Sequence, residues 1–301
     1  MGAATNLTTS GKATGSINSS TILAADSDGL GQQDPRTFGE ASIDFDAIIP
    51  PGSTCTSFGS AYLKSRSSDS FSAATKDFIA PVSVSISNCA TVIIKKETIP
   101  DKATGDFGFT HTLALIPASN SPFSLQDGGS TTFNNVVPTS GSTTYTVSED
   151  DPTSDGFALT AIDCTSSDIA RTFNKDVAAR SASFGIAVGE TITCTFTNTQ
   201  QGKIIVKKVC NDADTTQNFQ FTSSFSGGPG TLKCGEEKTS NSLAPGTYSV
   251  SEDVPAGWIL VSSTCDDESA PSAINLGAGE TVTCTFTNAK QRGAIKVTKT
   301  R

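Results

Sequence analysis

Two eight-residue stretches decide the fold of this chain: Thr191-Ile-Thr-Cys-Thr-Phe-Thr-Asn198 and Thr281-Val-Thr-Cys-Thr-Phe-Thr-Asn288. In each, threonine alternates with a mostly apolar residue, and a period of two is typical of a β-strand with one buried face. A Gly-Glu pair precedes both stretches, beginning at Gly189 and at Gly279. Two such similar strands, 90 residues apart, predict that the chain contains an internal repeat.

The similarity extends outward from these strands in both copies. Thr-Tyr-Thr-Val-Ser-Glu at 144–149 recurs as Thr-Tyr-Ser-Val-Ser-Glu at 247–252. Val-Ile-Ile-Lys-Lys at 92–96 likewise recurs as Ile-Ile-Val-Lys-Lys at 204–208. Each copy therefore begins and ends with an alternating strand, and each is long enough for a β-sandwich of about seven short strands.

These matches define the domain organisation. We place repeat 1 at about 90–199 and repeat 2 at about 202–289, and the very short linker between them favours a fixed orientation and a rod. Residues 1–89 do not follow the repeat, and their alternating segments predict a separate N-terminal β domain that lacks its own beginning. The fold class predicted is all-β, with tandem immunoglobulin-like sandwiches after that domain.

The last segment, 293–301, matches the first strand of a repeat, with Ile295, Val297 and Lys299 on one face. Two interpretations are open. In the first, the natural chain continues into a third repeat. In the second, this segment is a donor strand that completes the sheet of the 1–89 domain in a neighbouring molecule, which would build a head-to-tail homopolymer.

Composition excludes several classes of function. Only 17% of the residues are charged, the net charge is −9, and an acidic protein repels the phosphates of nucleic acids. No apolar stretch approaches the length that crosses a membrane. The sequence contains no nucleotide-binding fingerprint, and its serine-rich segment has no histidine partner for nucleophilic catalysis. A single histidine, His111, and the lack of a Cys-x-x-Cys motif make a metal site improbable. We therefore expect a protein that is not an enzyme and has no cofactor.

The eight cysteines divide by domain: Cys164 and Cys194 of repeat 1 match Cys265 and Cys284 of repeat 2, and repeat 2 has two extra cysteines, Cys210 and Cys234. Disulfides are the better interpretation of an even count without metal motifs, and they indicate an oxidising, extracellular space. The predicted pairs, inferred from the repeat symmetry, are Cys55 with Cys89, Cys164 with Cys194, Cys210 with Cys234, and Cys265 with Cys284.

In both repeats a lysine, a glutamate and an asparagine fall in phase with the buried apolar residues of their strands. One explanation is an intramolecular isopeptide bond, in which a buried neutral lysine attacks the asparagine amide while the protonated glutamate catalyses this single self-maturation step. The other is that all three are exposed at strand ends and turns. The residues concerned are Lys96, Glu149 (catalytic) and Asn198 in repeat 1, and Lys208, Glu252 (catalytic) and Asn288 in repeat 2.

The order of these motifs resembles a known family. A lysine on the first strand, then Tyr-x-Val-x-Glu, a Pro and a Gly-aromatic pair, and a final Thr-Asn are similar to the collagen-adhesin B-type (prealbumin-like) domains of Gram-positive, actinobacterial surface proteins and pilins. The resemblance covers about 90–289. It implies an immunoglobulin-like sandwich, a cell-wall or pilus role, and Lys–Asn isopeptides with a catalytic Glu. The chain departs from that pattern by carrying a disulfide beside each terminal Asn, which could replace the isopeptide.

Two functions compete. The first is a structural stalk or fibre module of a cell-surface or pilus-like adhesin, stapled by disulfides and isopeptides. The second is an adhesive binding module in which 1–89 recognises a glycan or a host protein, and exposed aromatic residues in that segment would favour it.

Overall fold

The computed structural model describes residues 9–27, 29–44, 55–61, 64–66, 74–78, 82–118, 121–168, 170–212, 216–293 and 295–299. The chain divides into two compact units, 1–88 and 89–301. Throughout the described residues the regular structure is β-strand, apart from the short 3₁₀ turns Ala24–Asp26 and Pro152–Asp155. The prediction of an all-β protein is confirmed. That same part of the chain contains no helix with the length and apolar character needed to cross a membrane.

In the first unit the strands pair in twos, all antiparallel: β1 with β2, β3 with β6 and β4 with β5. The alternating segment 41–48 begins within β2, and its residues 45–48 lie outside the described part of the chain. The alternating segment 82–86 lies within β6. The strands of this unit are β1 Ala13–Ile17, β2 Gly39–Ile43, β3 Ser57–Ala61, β4 Lys64–Arg66, β5 Thr75–Phe78 and β6 Val82–Ser87.

Repeat 1 is a sandwich of two sheets, ordered β10-β7-β15-β12 and β13-β14-β11-β8-β9. Its first and last strands, β7 and β15, lie side by side and run parallel at the centre of the first sheet. The strands are β7 Ala90–Ile99, β8 Phe107–His111, β9 Phe123–Leu125, β10 Ser130–Val136, β11 Tyr145–Glu149, β12 Phe157–Ser166, β13 Asn174–Asp176, β14 Ser181–Phe184 and β15 Thr191–Gln200.

Repeat 2 keeps the first sheet, ordered β19-β16-β24-β22, again with parallel first and last strands. Its second layer is split into a three-stranded sheet, β18-β17-β21, and a two-stranded sheet, β20-β23. The strands are β16 Lys203–Cys210, β17 Asn218–Ser223, β18 Thr231–Lys233, β19 Glu237–Thr239, β20 Gly246–Tyr248, β21 Val250–Asp253, β22 Trp258–Cys265, β23 Ile274–Leu276 and β24 Thr281–Lys290.

Alternation explains where the cores form. In β15, residues Ile192, Cys194, Phe196 and Asn198 are buried while most of the intervening threonines are partly exposed. The same alternation is present in β24. Each repeat has its own hydrophobic core, and the described buried residues of each core all come from that repeat. Nine strands are assigned in the described part of each repeat, rather than about seven, because several three-residue strands form at loops that are too irregular to show a period in the sequence.

A β-bulge marks the same place in both repeats. The pairing of β12 with β15 shifts register between Leu159 and Ala161, and that of β22 with β24 shifts between Leu260 and Ser262. The residue opposite Leu159 is Asn198, and the residue opposite Leu260 is Asn288. Each asparagine therefore lies beside an irregularity that strengthens the local twist of the strand pair.

The segment predicted as a further first strand forms no strand in its described residues, 293 and 295–299. Ile295 and Val297 are 92% and 88% exposed. The physical reason is that an alternating segment cannot form a ladder or bury its apolar face without a partner strand.

Candidate functional site

The alternating strand β7 carries Lys96 into the interior of repeat 1, where its side chain is completely buried. Its Nζ donates hydrogen bonds to the main-chain oxygens of Glu97 and Phe196, at 2.8 and 2.9 Å. The same nitrogen lies 4.5 Å from the centre of the Phe107 ring. A lysine in such a place cannot be the exposed strand-end residue of the alternative interpretation.

Glu149 lies between this lysine and Asn198. Asn198 Nδ2 donates to Glu149 Oε1 at 2.9 Å, and Lys96 Nζ lies 3.5 Å from that same oxygen. Both Lys96 and Glu149 side chains are 0% exposed. Glu149 Oε2 and Asn198 Oδ1 are buried and make no hydrogen bond to any residue that the structure describes. Strands β7, β11 and β15 thus bring an amine, a carboxyl and an amide together in an apolar interior.

Repeat 2 brings the equivalent three groups together. Lys208 Nζ donates to Asn288 Oδ1 at 2.8 Å and to the main-chain oxygen of Phe286 at 3.1 Å. It lies 3.3 Å from Glu252 Oε1 and 4.2 Å from the centre of the Phe219 ring. The side chains of Lys208 and Glu252 are 0% exposed.

The two asparagine amides are turned in opposite directions. Asn198 presents its NH₂ group to Glu149, whereas Asn288 presents its carbonyl oxygen to Lys208. A rotation of the terminal amide interchanges the two arrangements within the same site. In repeat 1 the amide is hydrogen-bonded to the glutamate, and in repeat 2 it is hydrogen-bonded to the lysine.

Burial moves both titrating groups toward their neutral forms. It lowers the pKa of Lys96 to about 8, against the opposing attraction of Glu149. It raises the pKa of Glu149, against the opposing effects of Lys96 and Asn198. The directions are the same in repeat 2, where burial lowers the pKa of Lys208 and raises that of Glu252. A neutral amine beside a protonated carboxyl is the pair that attack on an amide requires.

The predicted disulfides are present. In the repeats the bonds join Cys164 to Cys194, Cys210 to Cys234, and Cys265 to Cys284. Cys55 and Cys89 are also disulfide-bonded, and this accounts for all eight cysteines. Two of the bonds join residues directly opposite each other on paired strands: β12 with β15, and β22 with β24.

The only histidine of the chain, His111, packs on an aromatic ring. Its ring centre lies 4.7 Å from that of Phe133. In the described ranges no group of three or more His, Cys, Asp or Glu side chains comes close enough together to hold a metal ion.

Sequence reasoning missed the aromatic rings over the lysines and the contacts that hold the lysine strand. Phe107 and Phe219 each lie 11 positions after their lysine, and this equal offset is a signal that could have identified them. Asp127, which accepts a hydrogen bond from the main chain of Thr98, gave no signal because repeat 2 has a cysteine in its place.

A comparison with curated proteins finds no match. Among solved structures, the chain is similar to the major pilin protein T-13 of Streptococcus pyogenes at 15% identity, covering 67% of this chain and 97% of the pilin, with a TM-score of 0.28. It is similar to a streptococcal ancillary pilin at 16% identity, covering 68% of this chain and 63% of the pilin, with a TM-score of 0.29. An adhesin of Mobiluncus mulieris, described as containing intramolecular disulfide, isopeptide and ester bond cross-links, is 17% identical over 38% of this chain and 44% of the adhesin, with a TM-score of 0.27.

A family model gives the firmer assignment. The model of the prealbumin-like fold domain matches residues 92–200 and again residues 204–290. The two matches cover well over half of the chain and fall on the two sandwiches, and the protein therefore belongs to the prealbumin-like fold domain family.

Proposed function

We propose that this protein is a structural stalk or fibre module of a bacterial cell-surface or pilus-like adhesin, in which disulfides and one self-formed Lys–Asn isopeptide bond per repeat hold each sandwich closed. The observation that carries the proposal is the buried lysine, glutamate and asparagine in both repeats. Burying three such groups without a chemical purpose would be costly for a small domain. The domain boundaries that we propose are 90–199 and 202–289.

The proximity of the three groups supports the following reaction. Once the Asn198 amide has rotated so that its oxygen, rather than Nδ2, faces Glu149, the neutral Nζ of Lys96 attacks Cγ of Asn198 while protonated Glu149 donates a hydrogen bond to the amide oxygen. Glu149 then passes a proton from the attacking nitrogen to Nδ2. The Cγ–Nδ2 bond breaks, the Nζ–Cγ bond remains, and one ammonia leaves. In repeat 2, Lys208, Asn288 and Glu252 take the same roles.

The bond would join the parallel strands β7 and β15, the first and last strands of the domain. Tension applied to the two ends of the repeat would then pass through the cross-link instead of shearing those strands apart. The disulfide Cys164–Cys194 ties β15 to β12 on its other side. Covalent bonds across three adjacent strands suit a load-bearing role. The reaction occurs once per repeat without turnover, so the proposed role is not enzymatic.

Disulfides support an extracellular location for this module, since they persist in oxidising spaces. The exposed Ile295 and Val297 side chains support the proposal that 293–301 adds as a strand to the 1–89 domain of a second copy. Deleting 293–301 and measuring particle size by light scattering tests this addition. An unchanged size would exclude it.

One observation favours a second candidate, an adhesive module in residues 1–89 that binds a glycan or a host protein. An open cavity of about 500 Å³ lies beside β1 and is lined by Asn18, Leu30 and Phe38 among other residues. An aromatic ring beside polar groups suits a sugar face. Binding to immobilised glycans that is lost in Phe38→Ala would support it, and no binding by the wild type would oppose it.

Intact mass under reducing conditions tests the main proposal. The expected mass of the wild type is below the sequence mass by one ammonia for each repeat. Lys96→Met and Lys208→Met should each restore one ammonia, and the double variant should restore both. A wild type with the full sequence mass would refute the isopeptide bonds.

A further inference from the structure

We propose that each repeat holds its reactive lysine strand in place with a clamp on the residue two positions after the lysine: the Asp127 carboxylate in repeat 1 and the Cys210–Cys234 disulfide in repeat 2. It follows that the repeat 2 cross-link forms efficiently only after that disulfide has closed. This inference rests on the proposed isopeptide chemistry.

In repeat 1 a turn that contains Gly128 and Gly129 is hydrogen-bonded to the main chain of Lys96. Gly128 N donates to Lys96 O at 2.9 Å, and Lys96 N donates to Gly129 O at 3.0 Å. The residue before this turn is Asp127, whose Oδ1 accepts from Thr98 N at 2.5 Å. The Asp127 carboxylate therefore extends the hydrogen bonding of this turn to Thr98, near the end of β7.

The second oxygen of the same carboxylate holds the loop that follows β7. Asp127 Oδ2 accepts from Lys102 N at 2.7 Å. Burial raises the pKa of Asp127, but these hydrogen bonds outweigh that effect and leave the pKa below its usual value. Asp127 is thus ionised at neutral pH and holds two main-chain donors at once.

Repeat 2 builds the same turn with different chemistry. Gly235 N donates to Lys208 O at 2.9 Å, and Lys208 N donates to Glu236 O at 2.9 Å. The residue before this turn is Cys234, and its disulfide partner Cys210 again lies two positions after the lysine. A covalent bond therefore stands where repeat 1 has a carboxylate clamp.

The clamped residue is the register partner of the reactive asparagine. Thr98 lies opposite Asn198 in the pairing of β7 with β15, and Cys210 lies opposite Asn288 in the pairing of β16 with β24. Fixing that residue therefore fixes the offset between the lysine and the asparagine. Because amide attack needs the reacting atoms in near-contact geometry, a small loss of register slows the reaction steeply. Neither clamp touches the reacting atoms, so these are positioning residues.

The two clamps differ in when they act. The carboxylate is present as soon as repeat 1 folds, whereas the disulfide requires oxidation. As Cys210 and Cys234 join, their thiols lose two protons and two electrons, and an external disulfide oxidant is reduced to two thiols. The repeat 2 cross-link would then form after export into an oxidising space, while the repeat 1 cross-link would not depend on that step.

A reciprocal exchange of clamps in the full-length chain tests the inference. Newly synthesised protein is kept denatured and reduced so that neither repeat has cross-linked, it is then refolded, and cross-linking of each repeat is followed in time by peptide mass. Asp127→Ala should slow repeat 1 at least about tenfold and leave repeat 2 unchanged. Thr98→Cys with Asp127→Cys should restore the rate under oxidising conditions only.

In repeat 2, Cys210→Ser with Cys234→Ser should slow cross-linking, and Cys210→Thr with Cys234→Asp should restore it without an oxidant.

A matched control separates positioning from general stability. Asp176 also accepts a main-chain hydrogen bond in repeat 1, from Ala179 N at 2.9 Å, but it lies on β13, away from the lysine strand. Asp176→Ala should leave both rates unchanged. Folding of each variant is checked by circular dichroism, and a clamp variant that fails to fold is judged by its exchanged-clamp counterpart.

The outcomes are distinguishable. A wild type that releases no ammonia refutes the proposed function. A wild type that cross-links while Asp127→Ala and the Cys210/Cys234 variants cross-link at the wild-type rate refutes the clamps alone. Failure of the exchanged clamps to restore the rate, in a folded protein whose new disulfide has formed, also refutes them.

Discussion

Both repeats bury a lysine, a glutamate and an asparagine, but they differ in the strands that lie beside the glutamate. In repeat 1, β14 runs along β11, and the glutamate lies beneath a turn: Glu149 N donates to the main-chain oxygen of Arg180 at 2.9 Å. A five-stranded sheet therefore covers the site from the side.

Repeat 2 lacks most of this cover because a connection is shorter. Phe184 follows Cys164 by 20 positions, whereas the corresponding Ile274 follows Cys265 by only 9. An open groove of about 720 Å³ takes the place of the missing strand, next to Glu252. The Glu252 side chain is fully buried although the residue is partly exposed, so the exposed atoms are those of its main chain.

The difference shows which parts of the sandwich the chemistry requires. Both glutamate side chains are wholly shielded by the two facing sheets, with or without a covering strand. Side-chain burial is what favours the neutral forms. We therefore expect both repeats to cross-link.

Removal of the glutamates should have the largest effect on the rate of cross-linking, and it tests whether both repeats react in the same way. Glu149→Ala and Glu252→Ala should each slow ammonia release in their own repeat by about 10²- to 10⁴-fold, the usual contribution of a positioned general acid–base. Peptide mass after refolding measures both rates. Glu268→Gln, which changes an exposed carboxylate beside the groove, is the control and should have no effect. A much larger loss in one repeat would show that the cover matters after all.

The pH dependence of the rate in repeat 1 is the next test. Reaction needs a neutral Lys96 and a protonated Glu149, which together carry one proton, as the ion pair does. Since burial lowers the pKa of Lys96 to about 8, the pair loses that proton at higher pH. Ammonia release should therefore fall about tenfold per pH unit well above pH 8. At pH values below the raised pKa of Glu149, ammonia release should also slow, because the amine stays protonated there.

The rate of ammonia release after refolding is measured at a series of pH values and constant ionic strength. Circular dichroism at each pH shows whether the protein is folded. A rate that rises steadily through alkaline pH would mean that the lysine reacts without an acid partner.

Removing the strand-pair disulfides should have a moderate effect that is similar in the two repeats. In a Lys96→Met/Lys208→Met background, replacing Cys164 and Cys194, or Cys265 and Cys284, by alanine should cost about 2–4 kcal/mol of unfolding free energy. The bonds close separations of 30 and 19 residues, and loop entropy predicts a difference of only about 0.4 kcal/mol. Urea unfolding measures both costs. A difference above about 1 kcal/mol would mean that packing around the bonds, rather than loop length, separates the repeats.

The smallest effect concerns the turn over Glu149. Arg180 has a φ of 54°, in the left-handed region that favours glycine, and its ion pair with Asp151 is 3.7 Å long and partly exposed. Arg180→Gly should change the unfolding free energy by less than about 1 kcal/mol, because relief of backbone strain offsets loss of a weak ion pair. Cross-linking in repeat 1 should persist. A loss of cross-linking would identify the turn as part of the site.

The strand phase accounts for the part of the site that could be predicted from the sequence. Period-two alternation in 92–96, 144–149 and 191–198 placed Lys96, Glu149 and Asn198 toward the core without any knowledge of pairing. The family resemblance rested on the same residues, and the repeat indicated the pairs Cys164–Cys194 and Cys265–Cys284 because these cysteines occupy equivalent strands.

The sequence by itself therefore determined the all-β class, the repeat, the disulfides and the inward-facing polar residues, because each of these depends on local period or on spacing within the repeat. Only the tertiary structure decided that β7 and β15 lie parallel and adjacent, that Asp127 holds Thr98, and that a groove opens beside Glu252. These features depend on which strands pair and on how loops return to them. Hydrogen bonds and packing between residues distant in the chain set that choice, and no local pattern records it.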